Sequence, residues 1–129
     1  MNEQETKTIL IADDELDLRD ALETILTSEG YTTRCVENGE EAFEVYHTEH
    51  PDLLVLDLNM PKKSGMEVLR QIRSEEGDQG VPIIILTAHA DMDRIADATA
   101  IGGMKTDFLS KTDKSLADIV AHVRQRLGE

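Results

Sequence analysis

Between Asp52 and Gly65 the chain reads DLLVLDLNMPKKSG, and few folds accept such a stretch. Leu53, Leu54, Val55 and Leu56 run without polar alternation into Asp57, and Leu58, Asn59 and Met60-Pro61 follow. A continuous apolar run of this length, bounded by turn signals, predicts a strand buried on both faces of a parallel sheet. Asp57 then stands where the strand ends, at the carboxyl edge of the sheet, where open α/β sheets place their ligands. Pro61 keeps its predecessor out of helical geometry, so the chain turns in the open before Ser64 starts the next helix. A lone aspartate here would be a turn residue bonding its own backbone. The rest of the chain decides otherwise.

The flanking segments repeat the pattern. Thr8–Ala12 is a short apolar run ending in Asp13-Asp14, and Leu18, Leu22, Ile25 and Leu26 then recur at helical spacing up to Gly30, a C-cap signal. Tyr31–Val36 predicts a second strand. Asn38 with Glu41 resembles a capping box, opening a helix through Ala42, Phe43 and Tyr46 that runs to about His50, where Pro51 blocks it. Ser64 with Glu67 forms a second box before Val68, Leu69 and Ile72. Val81–Leu86 is the next buried strand, its proline tolerated at the beginning, and it ends on Thr87. A helix near Met92–Ala100 follows, with Ile95 as its one large aliphatic, so its packing is expected to be thin; Gly102-Gly103 ends it. Thr106–Ser110 delivers Lys111, and Thr112-Asp113-Lys114 reads as a polar helix start before the stripe Leu116, Ile119, Val120, Val123 and Leu127. Five strands alternating with five helices predict an α/β fold, a five-stranded parallel sheet with helices on both faces and right-handed crossovers.

At 129 residues the chain is expected to be a single domain, 1–129, ordered over about 6–127 and carrying no output domain. With no Trp and 3 % aromatics, its core must be built from Leu, Ile, Val and Ala. A net charge of −14 disfavours nucleic acid and anionic membrane as partners. The single Cys35 permits no internal disulfide, and the polar MNEQETK start has no apolar signal-peptide core. No apolar run approaches the roughly 20 residues of a membrane span. The expected location is cytoplasmic.

In such a sheet the strand ends lie together, which convenes Asp13, Asp14, Asp57, Thr87 and Lys111. Taken alone, Asp13-Asp14 is equally an N-cap pair before the first helix and half a metal site. Thr87 alone would be a strand-end hydroxyl, and Lys111 alone a solvent-exposed lysine. Together they are harder to dismiss. Three converging carboxylates repel one another and call for a cation; Mg²⁺, with oxygen ligands and coordination positions left for phosphate, is the physical solution. A lysine ammonium and a threonine hydroxyl would complete a phosphate cage, leaving one carboxylate free to attack phosphorus. The histidines show no ligand spacing (His47 and His50 lie on a polar helix end), and neither a GxGxxG turn nor a GxxxxGK[ST] loop is present.

From ILIADDE through DLLVLDLNMPKKSG and VPIIILTA to DFLSK, the chain resembles the receiver domains of two-component response regulators, and without an output domain it is similar to the single-domain chemotaxis-type regulators. The resemblance implies the flavodoxin-like (βα)5 fold. It implies that Asp57 takes a phosphoryl group from a histidine kinase or histidine phosphotransfer protein and that a downstream protein partner reads the result. Asp14, Asp57 and the Asn59 carbonyl would bind Mg²⁺ directly, with Asp13 acting through water. Thr87 and Lys111 would hold the phosphoryl oxygens, and Phe108, with Thr87, would serve the switch. The chain would be a signalling phosphoacceptor rather than an enzyme, catalysing only its own phosphorylation and dephosphorylation.

Two departures stand out: Thr112 replaces the family's proline after the lysine, and the stretch around Gly102–Lys105 is a residue or two longer than usual. A cis bond before threonine costs about 3–4 kcal/mol, so a trans Lys111–Thr112 peptide is expected, with the loop rerouted and Lys111 still reaching the pocket. Two other readings compete. An aspartyl-nucleophile phosphohydrolase would place an acid two residues after the nucleophile, where Asn59 cannot serve. A degenerate, phosphorylation-independent scaffold is opposed by the intact set of five residues.

Overall fold

The computed structural model describes residues 6–88, 92–112 and 114–128. The first five residues and Asp113, within the expected helix start, lie outside the described set. The elements are β1 (Thr8–Ala12), α1 (Leu16–Ser28), β2 (Thr32–Val36), α2 (Gly39–Glu49), β3 (Leu53–Asp57), α3 (Gly65–Arg70), β4 (Ile83–Thr87), α4 (Met92–Gly102), β5 (Thr106–Ser110) and α5 (Leu116–Leu127). All strands are parallel, in the order β2-β1-β3-β4-β5, so the strand carrying Asp57 is central.

The period-2 geometry of the strands sorts the apolar residues into two layers. Leu10, Leu54, Leu56, Ile83 and Ile85 face α2, α3 and α4, where Ala42, Val45, Val68, Leu69 and Ala98 meet them. Ile9, Ile11, Leu53, Val55, Ile84 and Leu86 face α1 and α5, against Leu22, Leu26, Ile119, Val120 and Val123. Every residue of β3 and β4 is buried. That is why these two strands lack polar alternation.

Several boundaries differ from expectation, each for a local reason. The Asn38 side chain caps α2 through the Glu41 N–H (2.9 Å), but the Glu41 carboxylate reaches the Glu37 N–H instead (3.5 Å), so the box is half made. Ser64 and Glu67 make the full reciprocal box. Ser115 and Asp118 make another, and α5 therefore begins at Leu116 rather than within Thr112–Lys114. α4 extends to Gly102, taking in Ile101, which packs on the core beside the buried Ala98; the helix has more to bury than Ile95 alone. α3 widens into a π turn at Gln71–Glu75.

That π turn carries Arg73 into the interior, 1 % exposed. Its guanidinium donates to the Asp78 carbonyl (3.0 Å), the Lys105 carbonyl (3.1 Å) and Thr106 Oγ1 (3.0 Å), all at the amino edge of β4 and β5. Asp78 in turn accepts from the Tyr46 hydroxyl (2.7 Å) and from the Gly80 and Val81 N–H groups.

Candidate functional site

β1 and β3 run side by side, with Ala12 in register with Leu56, so the residues after β1 and the end of β3 emerge at the same edge. Asp13 extends the β1 ladder through its N–H to the Val36 carbonyl (3.2 Å) and is 1 % exposed. Its Oδ1 accepts the Glu15 N–H (2.9 Å), and its carbonyl accepts Arg19 Nη1 (2.8 Å). The helix N-cap is Glu15, whose side chain makes no capping bond. Asp13 and Asp14 are thus not a capping pair. Asp57 is 4 % exposed, its Oδ1 accepting the Asn59 N–H at 3.2 Å.

The loop after Asp57 is bent tightly back. Lys62 sits at φ 69°, a left-handed conformation unusual for a non-glycine residue. Gly65 donates its N–H to the Leu58 carbonyl (3.0 Å), and a Cβ there would overlap the Asp57 carbonyl. Only glycine lets α3 start this close to the aspartate.

On the other side, β4 and β5 bring Thr87 into register with Ser110, and the Lys111 N–H donates to the Thr87 carbonyl at 2.9 Å. Thr87 is buried at the rim. Lys111 Nζ lies 3.2 Å from Asp57 Oδ2, 3.0 Å from Asp13 Oδ2 and 2.8 Å from Glu15 Oε1. The Lys111–Thr112 peptide is trans, as expected, since no peptide among the described residues is cis. The Thr112 N–H reaches Ser110 Oγ at 3.3 Å, a bond proline could not make.

Asp13, Asp14 and Asp57 each offer a carboxylate oxygen, all three lying within 4.8 Å of one another. Three carboxylates, Asp13, Glu15 and Asp57, pair with the Lys111 ammonium, and Asp14 adds a fourth to the cluster. Burial raises the Asp57 pKa above its usual value, helped by the neighbouring Asp13 charge and opposed by the Asn59 N–H and Lys111. Burial also works against the Lys111 charge, but bonds to Glu15 and Asp13 and the charge of Asp57 outweigh it and push its pKa up. Asp13 Oδ2 is buried and lacks a bond of hydrogen-bonding geometry, with only the ion pair to Lys111 beside it. A hard cation with oxygen preference, such as Mg²⁺, fits this donor set.

The structure thus gathers Asp13, Asp14, Asp57, Asn59, Thr87 and Lys111 at one edge. Phe108 stands three residues before Lys111, in register with Ile85 and half-buried against the α2–α4 side of the core. Sequence reasoning passed over two residues, Glu15 and Arg19. The run of three consecutive acids, Asp13-Asp14-Glu15, was the available signal for Glu15; for Arg19, half-buried in the first turn of α1, spacing gave none.

Comparison with known proteins decides the family. Residues 9–124 match the family described as "Response regulator receiver domain". The chain belongs to the response regulator receiver family. Among curated relatives of this receiver, "Response regulator MprA" of Mycobacterium ulcerans (strain Agy99) is 37 % identical, over 92 % of this chain but 49 % of its own length. "Probable transcriptional regulator ycf27" of Cyanophora paradoxa is 46 % identical over 69 % of this chain and 36 % of its own. The receiver therefore spans half or less of the length of these relatives. A solved receiver described as CheY-like, from Methanospirillum hungatei JF-1, superposes with a TM-score of 0.87 at 22 % identity, covering 96 % of this chain and 95 % of that one, and shares the fold. No helix among the described residues is long and apolar enough to cross a membrane.

Proposed function

We propose that this receiver accepts a phosphoryl group on Asp57 in a Mg²⁺-dependent reaction, from a phosphohistidine on a histidine kinase or phosphotransfer protein. The observation that carries the reading is a buried carboxylate at the end of the central strand, with two more carboxylates within 4.8 Å and an ammonium at 3.2 Å. In the transfer, an Asp57 carboxylate oxygen forms the new O–P bond as the P–N bond to imidazole breaks, and the departing nitrogen keeps the electron pair and takes a proton. Asp13, Asp14 and Asp57 would hold the ion, with the Asn59 carbonyl as a further ligand. When bound, it neutralises charge on the acceptor and on the phosphoryl oxygens. Lys111 and Thr87 would bind the remaining oxygens, and the change in their contacts would bias the face formed by α4, β5 and Phe108 toward a downstream protein.

The chain acts as a signalling phosphoacceptor rather than a turnover enzyme. Asn59 stands where a phosphohydrolase would need its acid, and its N–H is already given to Asp57. Intact-mass measurement after treatment with acetyl phosphate and Mg²⁺ tests the reading. One added phosphoryl group is expected, absent with EDTA and absent in Asp57→Asn. Full labelling of Asp57→Asn would refute it, and no labelling of the wild-type chain would leave a phosphorylation-independent scaffold.

A further inference from the structure

Glu15 lies outside the set of three carboxylates that converge for a cation, yet its contact to Lys111 Nζ, 2.8 Å, is the shortest the ammonium makes. Its side chain is 59 % exposed against 10 % for that of Lys111, so the glutamate closes the outer side of the pocket. Its role is not that of a cap: the backbone of Glu15 forms the helix start, and the side chain makes no capping bond. The other partners of Lys111, Asp13 and Asp57, belong to the convergent set. A divalent ion drawn to those oxygens would compete with the ammonium for them and repel it. Glu15 is the partner that such an ion leaves in place.

We infer that Glu15 is a positioning residue for Lys111: it keeps the ammonium at the pocket mouth when a cation occupies Asp13, Asp14 and Asp57. This rests on the proposed use of the site and adds to it a fourth carboxylate. By holding Lys111 off the metal oxygens, Glu15 favours ion binding and leaves the lysine in place for an incoming anion. A half-exposed ion pair of this kind is worth a modest factor, roughly two- to fivefold in an equilibrium constant.

Glu15→Gln preserves the size and backbone bonds of the residue and removes its charge. Titration with Mg²⁺ alone, by calorimetry, is expected to show binding weakened roughly two- to fivefold in this variant and in Glu15→Ala. The ¹⁵N-resolved ammonium signal of Lys111 should persist in the Mg²⁺-loaded wild type and be lost in both variants, an effect that a structural role for the side chain would not produce. Equal Mg²⁺ affinity and an equal Lys111 signal in wild type and Glu15→Gln would overturn the inference while leaving the phosphoacceptor reading intact. A wild-type chain that binds no Mg²⁺ would overturn both.

Discussion

The two edges of the sheet each contain an aspartate beside a cation, and they solve the problem of charge in opposite ways. At the amino edge the Asp78 carboxylate accepts three hydrogen bonds, from the Tyr46 hydroxyl and the Gly80 and Val81 N–H groups, with the Arg73 charge nearby. Burial would raise its pKa, but these bonds and the Arg73 charge outweigh it and leave the carboxyl below its usual value. At the carboxyl edge burial wins, and the Asp57 carboxyl is raised. Ionised Asp78 therefore stabilises the fold, whereas ionised Asp57 costs stability. One edge is finished but for Arg73 Nε, which makes no hydrogen bond; the other is open, its aspartate disfavoured by burial.

The largest expected effect comes from breaking the finished edge. Arg73→Ala removes a fully buried guanidinium and leaves two carbonyls and the Thr106 hydroxyl short of a donor, so a loss of about 3–4 kcal/mol in urea unfolding is expected. A change below about 1 kcal/mol would show that the amino edge does not depend on that side chain. Tyr46→Phe removes one donor to Asp78 and should cost about 1 kcal/mol. The same variant should also narrow the acid limb. Because the folded pKa of Asp78 is depressed, its stabilisation is present above the unfolded value of 3.8 and lost as pH falls through the folded value. Without the tyrosine bond there is less of that stabilisation to lose, and it is gone at a higher pH, as thermal melts across the acid range would show.

How much of this could be read from the chain differs between the two edges. The carboxyl edge was legible because β3 and β4 are uninterrupted apolar runs, and each ends on a residue with chemistry, Asp57 and Thr87. Parallel pairing then brings such ends together whatever the loops do. The amino edge was not read. Arg73 stands four residues after Leu69, on the apolar stripe of its helix, but an arginine there is ordinarily taken as reaching solvent. Only the tertiary positions of the Asp78, Lys105 and Thr106 acceptors, 5 to 33 residues away, make its burial tolerable. The start of α5 was misplaced for a smaller reason: the Ser115–Asp118 box follows a polar run that itself resembles a helix start.

At the open edge the expected effects are smaller and opposite in sign. Since the folded pKa of Asp57 is raised, stability without metal should fall as pH rises through that value, and a neutral side chain should escape the penalty. Asp57→Asn is the most direct probe of the claim that this edge is built for a cation. Melting temperatures of wild type and Asp57→Asn, measured at neutral pH with EDTA and with excess Mg²⁺, make the test. Asp57→Asn is expected to melt a few degrees higher in EDTA, and Mg²⁺ to raise the wild type enough to close or reverse the gap. A wild type as stable as Asp57→Asn in EDTA and unmoved by Mg²⁺ would contradict the claim.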